Sequence, residues 1–302
     1  MPPDPTLLES PQPARQAGDA RARFVPVLRI AWPSSLFIIL AVITAIDALW
    51  ASRMGLAFVG WQPPLIGVIV LLLVWRICAA RSLPAIAEMP YYTALWIALS
   101  AVAVINSYLA AALSLPAQDA LLAACDRAMG FGWFRWRDTL RAYPAAQLVL
   151  TVAYFSMMAQ VALSIVVFAL AKIPRRNEEF LTAAAISMAL TIPWFALMPA
   201  IGPSTEFAYV PVLTALRAGT PAVYVLGEMQ GIVCIPSYHT VLALLLIYVH
   251  RGVRWTFPPV VVLNVLMIVS IPSVGGHYLV DLAGGAVVTL VTLGIMRATG
   301  RY

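Results

Sequence analysis

Two of the three histidines in the chain stand in settings that suit chemistry. His277 and Asp281 are four residues apart, so on a helix they share one face. There the carboxylate accepts an imidazole N–H, fixes the tautomer and stabilises an imidazolium. The other ring nitrogen is left free to attack or to take a proton. His239 follows Pro236, Ser237 and Tyr238 at the start of an apolar run, where proline suits a helix start and serine a cap. The unpaired N–H groups of such a start favour an anion such as phosphate. Ser237, Tyr238 and Tyr278 flank these histidines and are expected to line the substrate site. Gly275-Gly276 and Gly284-Gly285 bracket the pair and admit a close approach by substrate or by a neighbouring helix. The bland alternatives are a His–Asp pair satisfied inside a bundle and an ordinary histidine at a helix start. The third histidine, His250, lies beside Arg251 at the end of a run and reads as an imidazole reaching the membrane interface.

The elements that hold these residues are membrane helices. Hydrophobic residues make up 62% of the chain, charged residues only 11%, and the mean hydropathy is +0.89, whereas a soluble domain carries about 25% charged residues. Runs long enough for a bilayer, which needs about 20 apolar residues, lie near 29–50, 64–80, 91–115, 146–171, 180–201, 237–250, 256–273 and 277–296. This predicts an all-α, polytopic bundle of about eight spans. Residues 1–28, rich in Pro, Ala, Arg and acids, are expected to form a flexible tail. Without an apolar core and cleavage site, they do not read as a signal peptide.

The net charge of +6 is spread through short loops, which indicates membrane topology rather than nucleic-acid binding. Eight spans put 13 of the 19 Lys and Arg residues on the side of the termini, so both termini are expected in the cytoplasm. His239 opens the sixth span and His277 the eighth, so both face the outer side. Segment 117–145 alternates aromatic and leucine side chains with Asp126, Arg127, Arg135, Arg137 and Arg141 and is expected to lie in the interface. Segment 203–235 is expected to cap the site. Cys78, Cys125 and Cys234 form no C-x-x-C pair, and neither a metal nor another cofactor is expected.

In their order and spacing, P-S-x-H followed 38 residues later by H-x-x-x-D, these segments resemble the type-2 phosphatidic acid phosphatase superfamily. Its second and third motifs are P-S-G-H and S-R-x-x-x-x-x-H-x-x-x-D. Ser270 fills the serine of the third motif, Ile271 replaces its arginine, and Tyr238 replaces the glycine of the second. The first motif is absent, with Ile201-Gly202-Pro203 its nearest counterpart. These departures are similar to inositol phosphorylceramide synthases and, less closely, sphingomyelin synthases. The stretch from Asp126 to Trp133 and the Gln230-Gly231 lead-in look like bacterial relatives of that branch.

The resemblance implies a six-helix catalytic core over 91–297, with 29–90 as two additional membrane helices. It implies metal-free, ping-pong phosphoryl transfer in a bacterial inner membrane, with the site facing the periplasm or exterior. His277 would attack phosphorus, Asp281 would hold it, and His239 would protonate the departing oxygen. The partners would be a phospholipid donor and a lipid-alcohol acceptor such as ceramide or diacylglycerol. A lipid phosphate phosphatase using water is the alternative, and a transporter or scaffold a more distant one. The positive charge that should hold the phosphate is unassigned by the motifs. Arg217 is the first candidate, followed by Arg127, Arg135, Arg137 and Arg141.

Overall fold

The computed structural model of the chain describes residues 32–300, with side chains from Ser35 onward. The tail expected over 1–28 lies outside them. Twelve α-helices are described: α1 (Trp32–Arg53), α2 (Gln62–Ala80), α3 (Pro84–Ala112), α4 (Asp119–Ala128), α5 (Trp133–Arg141), α6 (Pro144–Phe155), α7 (Met157–Leu170), α8 (Pro174–Leu197), α9 (Tyr209–Arg217), α10 (Tyr238–His250), α11 (Phe257–Val274) and α12 (Leu279–Ala298). Each apolar run became helix because a backbone in lipid must satisfy its own polar groups. Proline sets the start of α2, α3, α6, α8 and α11, where its fixed φ helps and its missing N–H costs nothing.

Six helices, α1, α2, α3, α8, α11 and α12, are long and apolar enough to cross a membrane. The run at 146–171 is instead a bent pair, α6 and α7, meeting at 52°. Ser156 sits at the break, where its hydroxyl donates to the Ala153 carbonyl and accepts from Gln160. A side chain inserted into the helical ladder is a recognised cause of such kinks. The run at 237–250 is α10, whose 13 residues reach only about 20 Å against a hydrocarbon core of about 30 Å. Its start packs beside the second turn of α12 rather than the first, because Gly284 and Gly285 face Pro236, Ser237 and Thr240.

The core gathers Trp96, Phe168, Phe180, Leu242 and Leu245 between α3, α7, α8 and α10. By contrast, α2 buries no residue and presents Ile66, Leu73 and Ile77 outward. One feature departs from an all-helical reading. Strand β1 (Leu56–Val59) pairs in parallel with β2 (Ala222–Val225), Leu56 opposite Ala222 and Val59 opposite Val225. This small sheet ties the connection after α1 to the connection before α10. The expected interfacial segment is the helix pair α4 and α5, and the expected cap contains α9 and β2.

Candidate active site

The α12 start is built so that one carboxylate does two jobs. Asp281 is the third residue of α12 and is fully buried. Its Oδ2 accepts the backbone N–H of Tyr278 at 2.9 Å, which caps the helix, and meets His277 Nδ1 at 3.3 Å. It also accepts the Cys234 thiol at 3.2 Å. With Nδ1 engaged, His277 Nε2 is the nitrogen left for a substrate.

Cys234, His277 and Asp281 bring one ligand atom each within 4.8 Å, a spacing that suits a metal. Burial first, and next the charge of Asp281, push the Cys234 thiol well above its ordinary range. As placed, the three form a hydrogen-bonded cluster, with the thiol donating to the carboxylate that also meets His277. Burial and then Asp119 likewise push the Tyr278 phenol up, and it donates to Asp119 Oδ1 at 3.2 Å.

The start of α10 is joined to this cluster through the backbone. Ser237 N–H donates to the Asp281 carbonyl at 3.0 Å. A Cβ on Gly285 would stand 2.6 Å from the Ser237 carbonyl oxygen, so the close approach foreseen for Gly284-Gly285 is to a neighbouring helix. This contact brings the start of α10, which carries His239, against the α12 start beside His277. The ring of Tyr154 lies on His239, with centroids 4.1 Å apart and planes 17° from parallel. The Tyr154 hydroxyl is 3.4 Å from Nδ1. Nδ1 directs its lone pair or proton in the imidazole plane, so this is a stacking contact rather than a hydrogen bond. Ser237 Oγ is fully buried and has no partner, and neither does Thr240 Oγ1.

Two acids of α4 hold the site from the side. Asp126, buried, accepts the Leu279 and Val280 N–H groups at 2.9 and 3.0 Å, one on each oxygen. These are orphan donors of the α12 first turn, and an anion there also faces the positive end of the helix dipole. Asp119 accepts the Ile201 and Gly202 N–H groups, fixing the strap that leads to the cap. Tyr209, the first residue of α9, donates to the Gly276 carbonyl at 3.1 Å.

The other expected residues are placed as follows. The Tyr238 hydroxyl turns to α8, donating to the Ala184 carbonyl. Arg217 donates to the Leu115 carbonyl at 2.7 Å, and no contact joins it to either histidine among the described residues. Arg137 and Arg141 instead line a cavity of about 180 Å³ with Trp133, Gln147, Phe207 and Ser273. His250 is corrected: it is buried rather than at an interface, held by Ser164 at 2.9 Å and Thr256 at 2.8 Å.

Sequence reasoning missed Asp119, Asp126, Tyr154 and Cys234 as parts of the site. For the two acids a signal existed, since a spacing of seven puts them on one face of a helix. Tyr154 and Cys234 carry none, being ordinary residues of apolar stretches.

The fold and site together define a membrane-embedded histidine–carboxylate centre. The family model described as the PAP2 superfamily matches residues 120–295, from α4 into α12 and more than half of the chain. The chain belongs to the PAP2 superfamily, and its function is of the phosphatase or phosphotransferase type acting on lipids. No curated protein and no solved structure matches it.

Proposed function

We propose that this protein is a lipid phosphotransferase of the inositol phosphorylceramide synthase type, moving a phosphorylated head group from a phospholipid to a lipid alcohol. The observation that carries the reading is the engagement of His277 Nδ1 by buried Asp281, beside a second histidine at the start of α10. In the first half-reaction His277 Nε2 forms a bond to phosphorus while the bond to the glycerol oxygen breaks. His239 gives that oxygen its proton, and diacylglycerol departs. In the second, the hydroxyl of ceramide or diacylglycerol attacks the phosphohistidine, His239 takes its proton, and His277 is regenerated. Asp281 stabilises the charge on the imidazole ring in both. The Ser237 hydroxyl, buried and unpartnered, is available to a phosphate oxygen, as are the first N–H groups of α10.

Transfer rather than hydrolysis is favoured by the burial of the site, since His277 is only 5% exposed and bulk water is correspondingly scarce there. With the pair α6–α7 and the short α10 each counted as a span, the Lys and Arg distribution supports cytoplasmic termini and a site facing the outer side.

The test is transfer from phosphatidylinositol to fluorescent ceramide by purified protein in mixed micelles with EDTA present. Labelled product is expected from the parent chain and none from His277→Ala or His239→Ala. Release of inositol phosphate and diacylglycerol with no labelled ceramide product would identify hydrolysis, with water as the acceptor. Full turnover in both histidine variants would remove the mechanism.

A further inference from the structure

The cavity beside α5 holds a charge arrangement that the two-histidine mechanism does not use. Arg137 Nη1 and Arg141 Nη2 converge on one carboxylate, Glu206, at 3.2 Å to Oε1 and 3.1 Å to Oε2. Asp138 takes the rest of the Arg137 fork at 3.0 and 2.9 Å. The Arg137 guanidinium also lies 5.4 Å from the Trp133 ring and 5.2 Å from the Phe134 ring, and Trp133 is itself buried and bonded to the Pro272 carbonyl at 2.7 Å. Arg137 is thus held from three sides, whereas Glu206 stands on the strap between α8 and α9 with 57% of its side chain exposed.

The position of this cavity connects it to the histidines. Its α6 wall is Gln147 and Leu150, and one turn further along that wall is Tyr154, stacked on His239. Its α11 wall ends at Ser273 and Val274, just before Gly276 and His277. Phe207, next to Glu206, packs where a Cβ on Gly276 would be.

We propose that Arg137 and Arg141 bind the phosphodiester of the lipid substrate, and that Glu206 is a resident counter-ion which the lipid displaces. This rests on the phosphotransferase reading and names the anion-binding groups that its motifs leave out. Charge decides the class of ligand. Arg137 and Arg141 are balanced by Asp138 and Glu206, so a monoanionic diester replaces the Glu206 carboxylate charge for charge. A dianionic monoester would leave an excess negative charge. The exchange costs little, because an exposed ion pair contributes little to stability, while guanidinium forks match phosphate oxygens in geometry.

The test measures binding in the absence of turnover. Full-length protein carrying His277→Ala is titrated in detergent with dihexanoyl phosphatidylinositol, with dihexanoyl phosphatidic acid and with inorganic phosphate. The diester is expected to bind best. Glu206→Gln should tighten it about threefold, the fold-change corresponding to loss of an exposed pair. Arg141→Ala should weaken it about tenfold, as expected for a lost charge-assisted hydrogen bond. Both side chains are more than half exposed, so neither variant threatens the fold. An unchanged affinity in either variant overturns the proposal, as does inorganic phosphate or the monoester binding as well as the diester. Because no turnover is required, a failed transfer assay with this binding pattern intact would refute the catalytic reading alone.

Discussion

Replacing Asp126 by Asn isolates what α4 does for the catalytic helix. In the native chain each oxygen of Asp126 accepts its own backbone N–H, from Leu279 and Val280. Asparagine keeps one accepting oxygen and turns the other into a donor, so one N–H of the α12 first turn is left buried and unpaired. An unmade hydrogen bond at a buried group costs about 1–3 kcal/mol, and loss of the anion at a helix start adds about 0.3–1 kcal/mol. The damage falls on the turn that sets Asp281 against His277. If about 2 kcal/mol of it appears as misplacement of that pair, turnover drops by up to about 30-fold. Hydrogen exchange read on the peptide spanning 279–280 should quicken in Asp126→Asn, and head-group transfer in mixed micelles should fall without a matching rise in KM. Exchange at Leu279 and Val280 equal to that of the parent, with turnover within twofold, would show that α4 does not position the site.

Three further outcomes follow from the geometry. Gly285→Ala puts a methyl 2.6 Å from the Ser237 carbonyl, so α10 and α12 must separate; activity and melting temperature should both fall, while Gly67→Ala, with nothing within 4 Å, leaves both unchanged. Tyr154→Leu removes the stack on His239, and turnover should drop by up to about 100-fold, the lower end of what a misplaced acid–base group loses; carbethoxylation of His239 read by mass spectrometry should accelerate, and Tyr154→Phe should restore both. Glu179 is buried between Arg176 and Arg251 at the other end of the bundle. Glu179→Gln should destabilise by about 2 kcal/mol, less than a fully buried pair because both arginines reach solvent, and turnover per folded molecule should stay at the parent level.

Much of the bundle was legible because the bilayer leaves few choices. Every apolar run of about 20 residues had to be helical, but hydrophobicity did not show where each started: α3 and α8 begin at Pro84 and Pro174, ahead of the runs expected from 91 and 180. The short run ending at His250 was legible as a helix but not in its placement, which depends on how α12 receives it at Gly284 and Gly285. The break at Ser156 was not legible either, since a polar residue inside an apolar run is compatible with a straight helix. The strands β1 and β2 were beyond reach: four residues each, paired across more than 160 positions.

The same division runs through the site. The four-residue spacing of His277 and Asp281 does bring them together, but not by helical periodicity: α12 begins only at Leu279, and Asp281 at its third position reaches back over the helix start to the Tyr278 N–H and to His277. Arg217 was chosen as a phosphate ligand by charge and side of the membrane, which give no direction to a side chain; its Nη2 donates to the Leu115 carbonyl, and its buried Nη1 has no partner among the described residues. His250 was assigned to an interface by its neighbour Arg251, yet Ser164 and Thr256 close around it. What the sequence determined by itself was local: helices, the close spacing of the histidine and its carboxylate, and the superfamily motifs. What only the tertiary structure decided was every contact between distant segments: Asp126 on α12, Tyr154 on His239, and the two arginines on Glu206. Periodicity and hydrophobicity act within a few turns of one helix, whereas these contacts depend on how whole helices cross.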